Sequence, residues 1–144
     1  MTYPMPAPPG VRAEVDAFLH EVAEAYNTGD YEAYMAAYLP SEETTMVIYE
    51  PGDGPVQDRE TVVLRGTSRI ARFYAEAPMF KPGFDRPTLT YEQLHTDVVG
   101  TGTLHTVALA GISGGDTRVP AQAVSSLILV RDGGLLRIAH DHSH

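Results

Sequence analysis

The chain has 144 residues and carries 10 Lys plus Arg against 19 Asp plus Glu, a formal net charge of -9 at pH 7. That balance repels nucleic-acid phosphates, and no basic cluster offsets it, so no nucleic-acid partner is expected. Cysteine is absent, which excludes disulfide frameworks, thiolate zinc sites and cysteine nucleophiles.

The length suits one domain that buries about two thirds of the surface its unfolded chain exposes. No run is long and apolar enough for a membrane span, and MTYPMPAPPG has neither a basic n-region nor an apolar h-region. A cytoplasmic protein is expected, with residues 1–10 as a flexible Pro-rich arm and 11–144 as a single domain.

From Val11 to Tyr26 the apolar residues Val11, Val15, Phe18, Leu19, Val22 and Tyr26 recur three or four apart, the spacing of an amphipathic helix. Gly29 suits a left-handed turn and Asp30 caps a second helix over YEAYMAAYL, which stops before Pro40. TTMVIYE (44–50) and TVVLRG (61–66) read as short strands flanking a Gly/Pro-rich loop. A third helix follows in TSRIARFYAEAP, with Thr67 or Ser68 as N-cap and Ile70, Phe73 and Tyr74 as its buried stripe. Met79, Phe80 and Phe84 in MFKPGFDRP form either a lid or a surface loop packing its own aromatics.

Four long strands are expected at about 88–98, 102–112, 118–131 and 135–142, joined by glycine turns into an antiparallel meander. In AQAVSSLILV both alternating sets are apolar or small, so both faces of the sheet need cover. Helices supply one cover; a second copy of the chain is the simplest source of the other, which predicts a homodimer through the outer sheet face.

Three stretches in this order carry a resemblance: NTGDYEAYMAAYLP, RGTSRIARFYAE and the closing DGGLLRIAHDHSH. Together with the order of elements they resemble the nuclear transport factor 2-like fold shared by ketosteroid isomerases, limonene epoxide hydrolase and SnoaL-like polyketide cyclases. The resemblance implies an α+β cone, three helices on a strongly curved, mostly antiparallel sheet, and extends to small proteins of actinobacterial natural-product clusters, those of enediynes included. It implies a hydrophobic polyene or polyketide guest and a biosynthetic partner enzyme, with no cofactor.

Enzymes of this fold depend on an inward carboxylate. Along the long strands, Asp97 lies near a strand end and Asp141 shares the parity of Arg137, which predicts that both face outward. Leu136, Ile138, His140 and His142 share the other parity, so the histidine pair is expected in the cone, as an acid/base with Tyr49 or with His140 bonding a backbone carbonyl at the rim and His142 solvated. A metal on His140 and His142 would need a third ligand from His95, Asp97 or His105, and none is expected at a chain end prone to fray. Tyr26, Tyr38, Phe73, Tyr74, His105, Gln122 and Ser126 are the candidate ligand-binding residues. Two readings follow: a carrier of a hydrophobic guest, or a cyclase or isomerase using His and Tyr.

Overall fold

A computed structural model of the protein describes residues 2–49, 58–115 and 117–143, with the backbone alone over 117–120. In chain order the elements are β1 (Met5–Pro6), α1 (Pro9–Asn27), α2 (Tyr31–Ala36), β2 (Thr45–Tyr49), β3 (Thr61–Arg65), α3 (Thr67–Glu76), a 3₁₀ turn (Pro78–Phe80), β4 (Thr88–Gly100), β5 (Thr103–Gly114), β6 (Thr117–Asp132) and β7 (Leu135–Ser143). One sheet joins the strands in the order β1-β4-β5-β6-β7-β2-β3. Every pairing is antiparallel except β2 with β7. The expected meander from β4 to β7 is present, and β2 enters its free edge in parallel.

The sequence dictates these elements locally. Gly29 adopts φ 71, and the Asp30 carboxylate accepts a bond from the Ala33 N–H at 3.0 Å, capping α2 as expected. At α3 the N-cap is Gly66 instead of Thr67 or Ser68. The Thr67 side chain serves elsewhere. Its hydroxyl donates to the Leu39 carbonyl at 2.6 Å and accepts from the Ser41 N–H at 2.9 Å, pinning α3 to the loop after α2. The Pro-rich start is only partly an arm. Met5 and Pro6 pair with Val98 and Asp97 on the edge of β4, Ala7 N–H donates to the Thr96 carbonyl at 3.0 Å, and α1 begins at Pro9. The loop expected at 51–60 falls largely outside the described residues.

Helix α1 lays Val15, Phe18, Leu19 and Val22 on the inner face of the sheet. Along β5, Leu104, Thr106, Ala108 and Ala110 are buried while the residues between them are half-buried, the period of two that marks one covered face. Leu127 and Leu129 from β6 and Leu136 and Ile138 from β7 complete the layer. Full burial of each large side chain contributes about 1.5–3 kcal/mol. The Thr96 and Thr106 hydroxyls, both buried, bond one another at 3.0 Å, so the core carries them without an unpaired polar atom.

The ladder between β6 and β7 has one irregularity with large consequences. Leu129 pairs with Ile138 and Ile128 with His140, so Ala139 is an extra residue, a β-bulge. It sits where β7 changes partner on its other edge. Before it, Ile138 exchanges bonds with the backbone of Ala37 and Leu39 at 2.7 and 2.9 Å; after it, His140 pairs with Thr45 of β2. The extra residue reverses the parity of everything that follows.

Candidate active site

Because of that bulge, Asp141 is the inward residue of the last strand. It is 8 % exposed and lies opposite Leu127 on one side and Met46 on the other, both buried. The expectation that Asp141 faces out beside Arg137 is therefore corrected, as is the expectation that His140 and His142 point into the cone. His142 is exposed and His140 half-buried, both on the outer face.

Three tyrosines close around the carboxylate. Tyr38, 2 % exposed, donates its hydroxyl to Asp141 Oδ2 at 3.0 Å. Tyr34 donates to the Tyr74 hydroxyl at 3.2 Å, and Tyr74 in turn donates to Met46 Sδ at 3.3 Å. A thioether is a weak acceptor, so the Tyr74 O–H is the donor in this cluster that a better acceptor would capture. Tyr34 comes from α2, which ends at Ala36 and not at Leu39 as expected; Tyr38 lies beyond the C-cap Ala37, held by a bridge to Ile138 of β7. Tyr74 meets Tyr34 from α3 with ring centroids 5.0 Å apart.

Electrostatics single out the same carboxyl. Burial raises the Asp141 pKa above its ordinary value of 3.8; hydrogen bonds from Ser143 and Tyr38 oppose the rise, as do the charges of His140 and His142 when protonated. Burial also pushes the Tyr34, Tyr38 and Tyr91 hydroxyls well above their usual range, so these phenols act as neutral donors.

Phe80 lies over the cluster. Its ring meets those of Tyr26, Tyr31, Tyr34 and Tyr74 at centroid distances of 6.0, 5.7, 5.2 and 6.1 Å, and it is only half-buried. Met79 packs beside it on the same core. Arg86 Nε donates to the Met79 carbonyl at 2.9 Å, and its guanidinium lies against Gly29, where a Cβ would come within 2.7 Å of Nη2. Met79 and Phe80 thus pack on the aromatic cluster beside the turn between α1 and α2, a position compatible with both the lid and the surface-loop expectation. A surface cleft of about 820 Å³ lies outside the cone along Pro40–Glu42 and the start of α3.

Of the expected ligand-binding residues, Tyr26, Tyr38 and Tyr74 meet in the cone, and Phe73 packs on its wall. His105, Gln122 and Ser126 do not: they lie on the outer face, where His105 Nε2 and Ser126 Oγ bond at 2.8 Å and Gln122 is exposed. Tyr49 is register partner of Thr61 and alternates with the inward Met46 and Ile48, so it too faces away from Asp141. Asp97 is outward as expected, 2.8 Å from His95. Among the described residues no three His, Asp or Glu side chains gather to hold a metal ion. The residues that sequence reasoning missed are Asp141, Tyr34 as partner of Tyr74, and Ser143, whose hydroxyl donates to Asp141 Oδ1 at 2.9 Å.

Solved structures share this arrangement of helices packed on one curved sheet. A protein from Shewanella oneidensis MR-1 described as nuclear transport factor 2-like and of unknown function superposes with a TM-score of 0.72 over 92 % of this chain and 98 % of its own, at 16 % identity. The chain has the nuclear transport factor 2-like cone fold. A putative scytalone dehydratase from Novosphingobium aromaticivorans DSM 12444 matches at TM-score 0.69 and 11 % identity over 94 % and 83 % of the two chains. Aln2 from a Streptomyces species matches at 0.65 and 17 % over 97 % and 93 %. No family model matches the sequence, and no curated protein does. Among the described residues, no helix is long and apolar enough to cross a membrane.

Proposed function

We propose that the cone takes up a flat, hydrophobic ketone of the polyene or polyketide type, as made in actinobacterial secondary metabolism including enediyne pathways, and that Asp141 moves a proton on it. The observation that carries this reading is the carboxyl group itself, sealed among tyrosines and raised in pKa by burial. A carboxylate whose pKa moves toward the working pH is a stronger base. In the step, a C–H bond beside the guest carbonyl breaks and its proton passes to Asp141. The electron pair moves to the carbonyl oxygen, which accepts a hydrogen bond from Tyr74 in place of Met46 Sδ, with Tyr34 polarising that donor from behind. Return of the proton at another carbon completes a tautomerisation and leaves Asp141 ionised again.

Without an inward carboxylate a pure carrier is the stronger expectation; Asp141 shifts the balance toward acid–base chemistry. The two neighbours named as a putative scytalone dehydratase and Aln2 support a small-molecule guest, and the aromatic wall supports a flat one. The test is hydrogen–deuterium exchange at the α-carbon of 2-tetralone, a flat apolar ketone, followed by proton NMR. The protein should accelerate exchange above the buffer rate, whereas a carrier that only binds leaves it there.

Phe80 covers the route to the tyrosines, so removing its ring should open the site. Phe80→Ala should bind 2-tetralone several-fold more tightly, read by NMR titration; weaker or unchanged binding would show that Phe80 is wall and not cover.

A second copy of the chain is the proposed cover for the outer sheet face, where Val107, Leu109, Val124, Ile128 and Val130 alternate with the buried set and are half-exposed in one chain. Ile128→Asp should convert a species of twice 15.6 kDa into one of 15.6 kDa by light scattering. A wild-type mass equal to one chain would remove the dimer from the account.

A further inference from the structure

We propose that Ser143 positions the Asp141 carboxyl and connects its proton to water, with Ser125 as its support. This rests on the acid–base reading of Asp141. The two carboxyl oxygens have different surroundings: Oδ2 accepts from Tyr38 in the buried aromatic wall, whereas Oδ1 accepts from Ser143 Oγ at 2.9 Å. Ser143 is half-exposed while Asp141 is buried, so the residue that donates to Oδ1 reaches the surface where the carboxyl does not.

Ser125 is the less expected member. It is 2 % exposed on the inner face of β6, between the apolar Ala123 and Leu127, and it lies directly opposite Ser143 in the ladder. Its hydroxyl and that of Ser143 are 2.9 Å apart. A buried hydroxyl without a partner is costly, and Ser143 is the partner that this one has. Each serine has one proton to give. When Asp141 is ionised, Ser143 must donate to Oδ1, and Ser125 must then donate to Ser143; the direction of the chain is fixed by the charge at its end. When Asp141 releases a proton from Oδ1, Ser143 Oγ takes it as its own proton passes to water, and the hydroxyl is regenerated.

The other titratable groups facing Asp141 are Tyr34, Tyr38, Tyr74 and Tyr91 inside the cone and His140 and His142 beside it on its own strand. Both histidines lie on the outer parity of the strand, whereas Ser143 shares the inner parity of Asp141.

Carbon-13 NMR of protein labelled at the Asp carboxyl tests the proposal in wild type, Ser143→Ala, Ser143→Thr and Ser125→Ala. The Asp141 resonance, assigned by its loss in Asp141→Asn, should titrate at higher pH in Ser143→Ala, because a hydrogen bond to the charged form is gone, and return toward the wild-type position in Ser143→Thr. Ser125→Ala should shift it in the same direction by less. In Ser143→Ala the signal should also broaden at its midpoint as proton exchange with water slows. A Ser143→Ala profile that coincides with wild type in midpoint and width would overturn the proposal. A wild-type Asp141 that titrates in the ordinary carboxylate range would count against the acid–base reading instead, and the difference between wild type and Ser143→Ala would still decide the role of Ser143.

Discussion

Asp141→Asn should make the protein more stable at pH 7 and inactive in proton transfer. Because burial raises the folded-state pKa of Asp141 above its unfolded value, the acid form favours folding. That contribution is fully present below the unfolded value of 3.8 and is lost as pH rises through the folded value. Above the folded value the wild type holds a carboxylate that it would be more stable without, and the isosteric amide relieves it. Each kcal/mol relieved raises the melting temperature by about 2–4 °C in a chain of this size. The Asn side chain keeps an acceptor for one neighbour, and the Tyr38 or Ser143 hydroxyl turns to accept from its amide. The gain should shrink as the pH is lowered and vanish below the unfolded value, where Asp141 is neutral in both states. All other carboxylates are common to the two proteins and cancel in the difference, so thermal melts at a series of pH values read Asp141 alone. A variant less stable than wild type at pH 7 would mean that the carboxylate is a net structural asset.

Tyr74→Phe should lower α-proton exchange by about 10²–10³-fold, the usual loss when one donor to a developing oxyanion is removed. Its structural cost is separable. The Tyr34 hydroxyl loses its acceptor in a buried site, which costs about 1–3 kcal/mol, while ring packing is kept. Melts measure the second effect and exchange rates the first. Tyr38→Phe should behave differently, since Tyr38 bonds the carboxylate and not the guest: Asp141 loses a bond that lowers its pKa, and the pH profile of exchange should move upward.

The elements were largely legible because each obeys one period. Val15, Phe18, Leu19 and Val22 declare the buried face of α1, and the four long strands are separated by glycine turns at Gly102, Gly114 and Gly133, all at positive φ. Side assignments in the sheet were harder. In β6, Leu127 and Leu129 face in and Ile128 and Val130 face out, yet all four are apolar, so the sequence pattern does not distinguish the faces. Arg131 does: it reaches Glu14 of α1 at 2.6 Å and so marks the inner parity, along with Ser125. The site was missed for a related reason. Ala139 carries neither glycine nor proline to announce a bulge, and beyond Ile138 the chain is polar at every position but that one, so no apolar alternation remains to reveal the shift. The edge exchange from Ala37–Leu39 to β2 that accommodates it is a tertiary event with no local signal.

The parity of the last strand decides which residue does the chemistry, and one measurement separates the candidates. Exchange at the α-carbon of 2-tetralone should be accelerated by wild type and by the His140→Ala/His142→Ala double variant, and should fall to the buffer rate in Asp141→Asn. Exchange that survives in Asp141→Asn and disappears in the double histidine variant would contradict an inward carboxylate as the base and return the chemistry to the histidines.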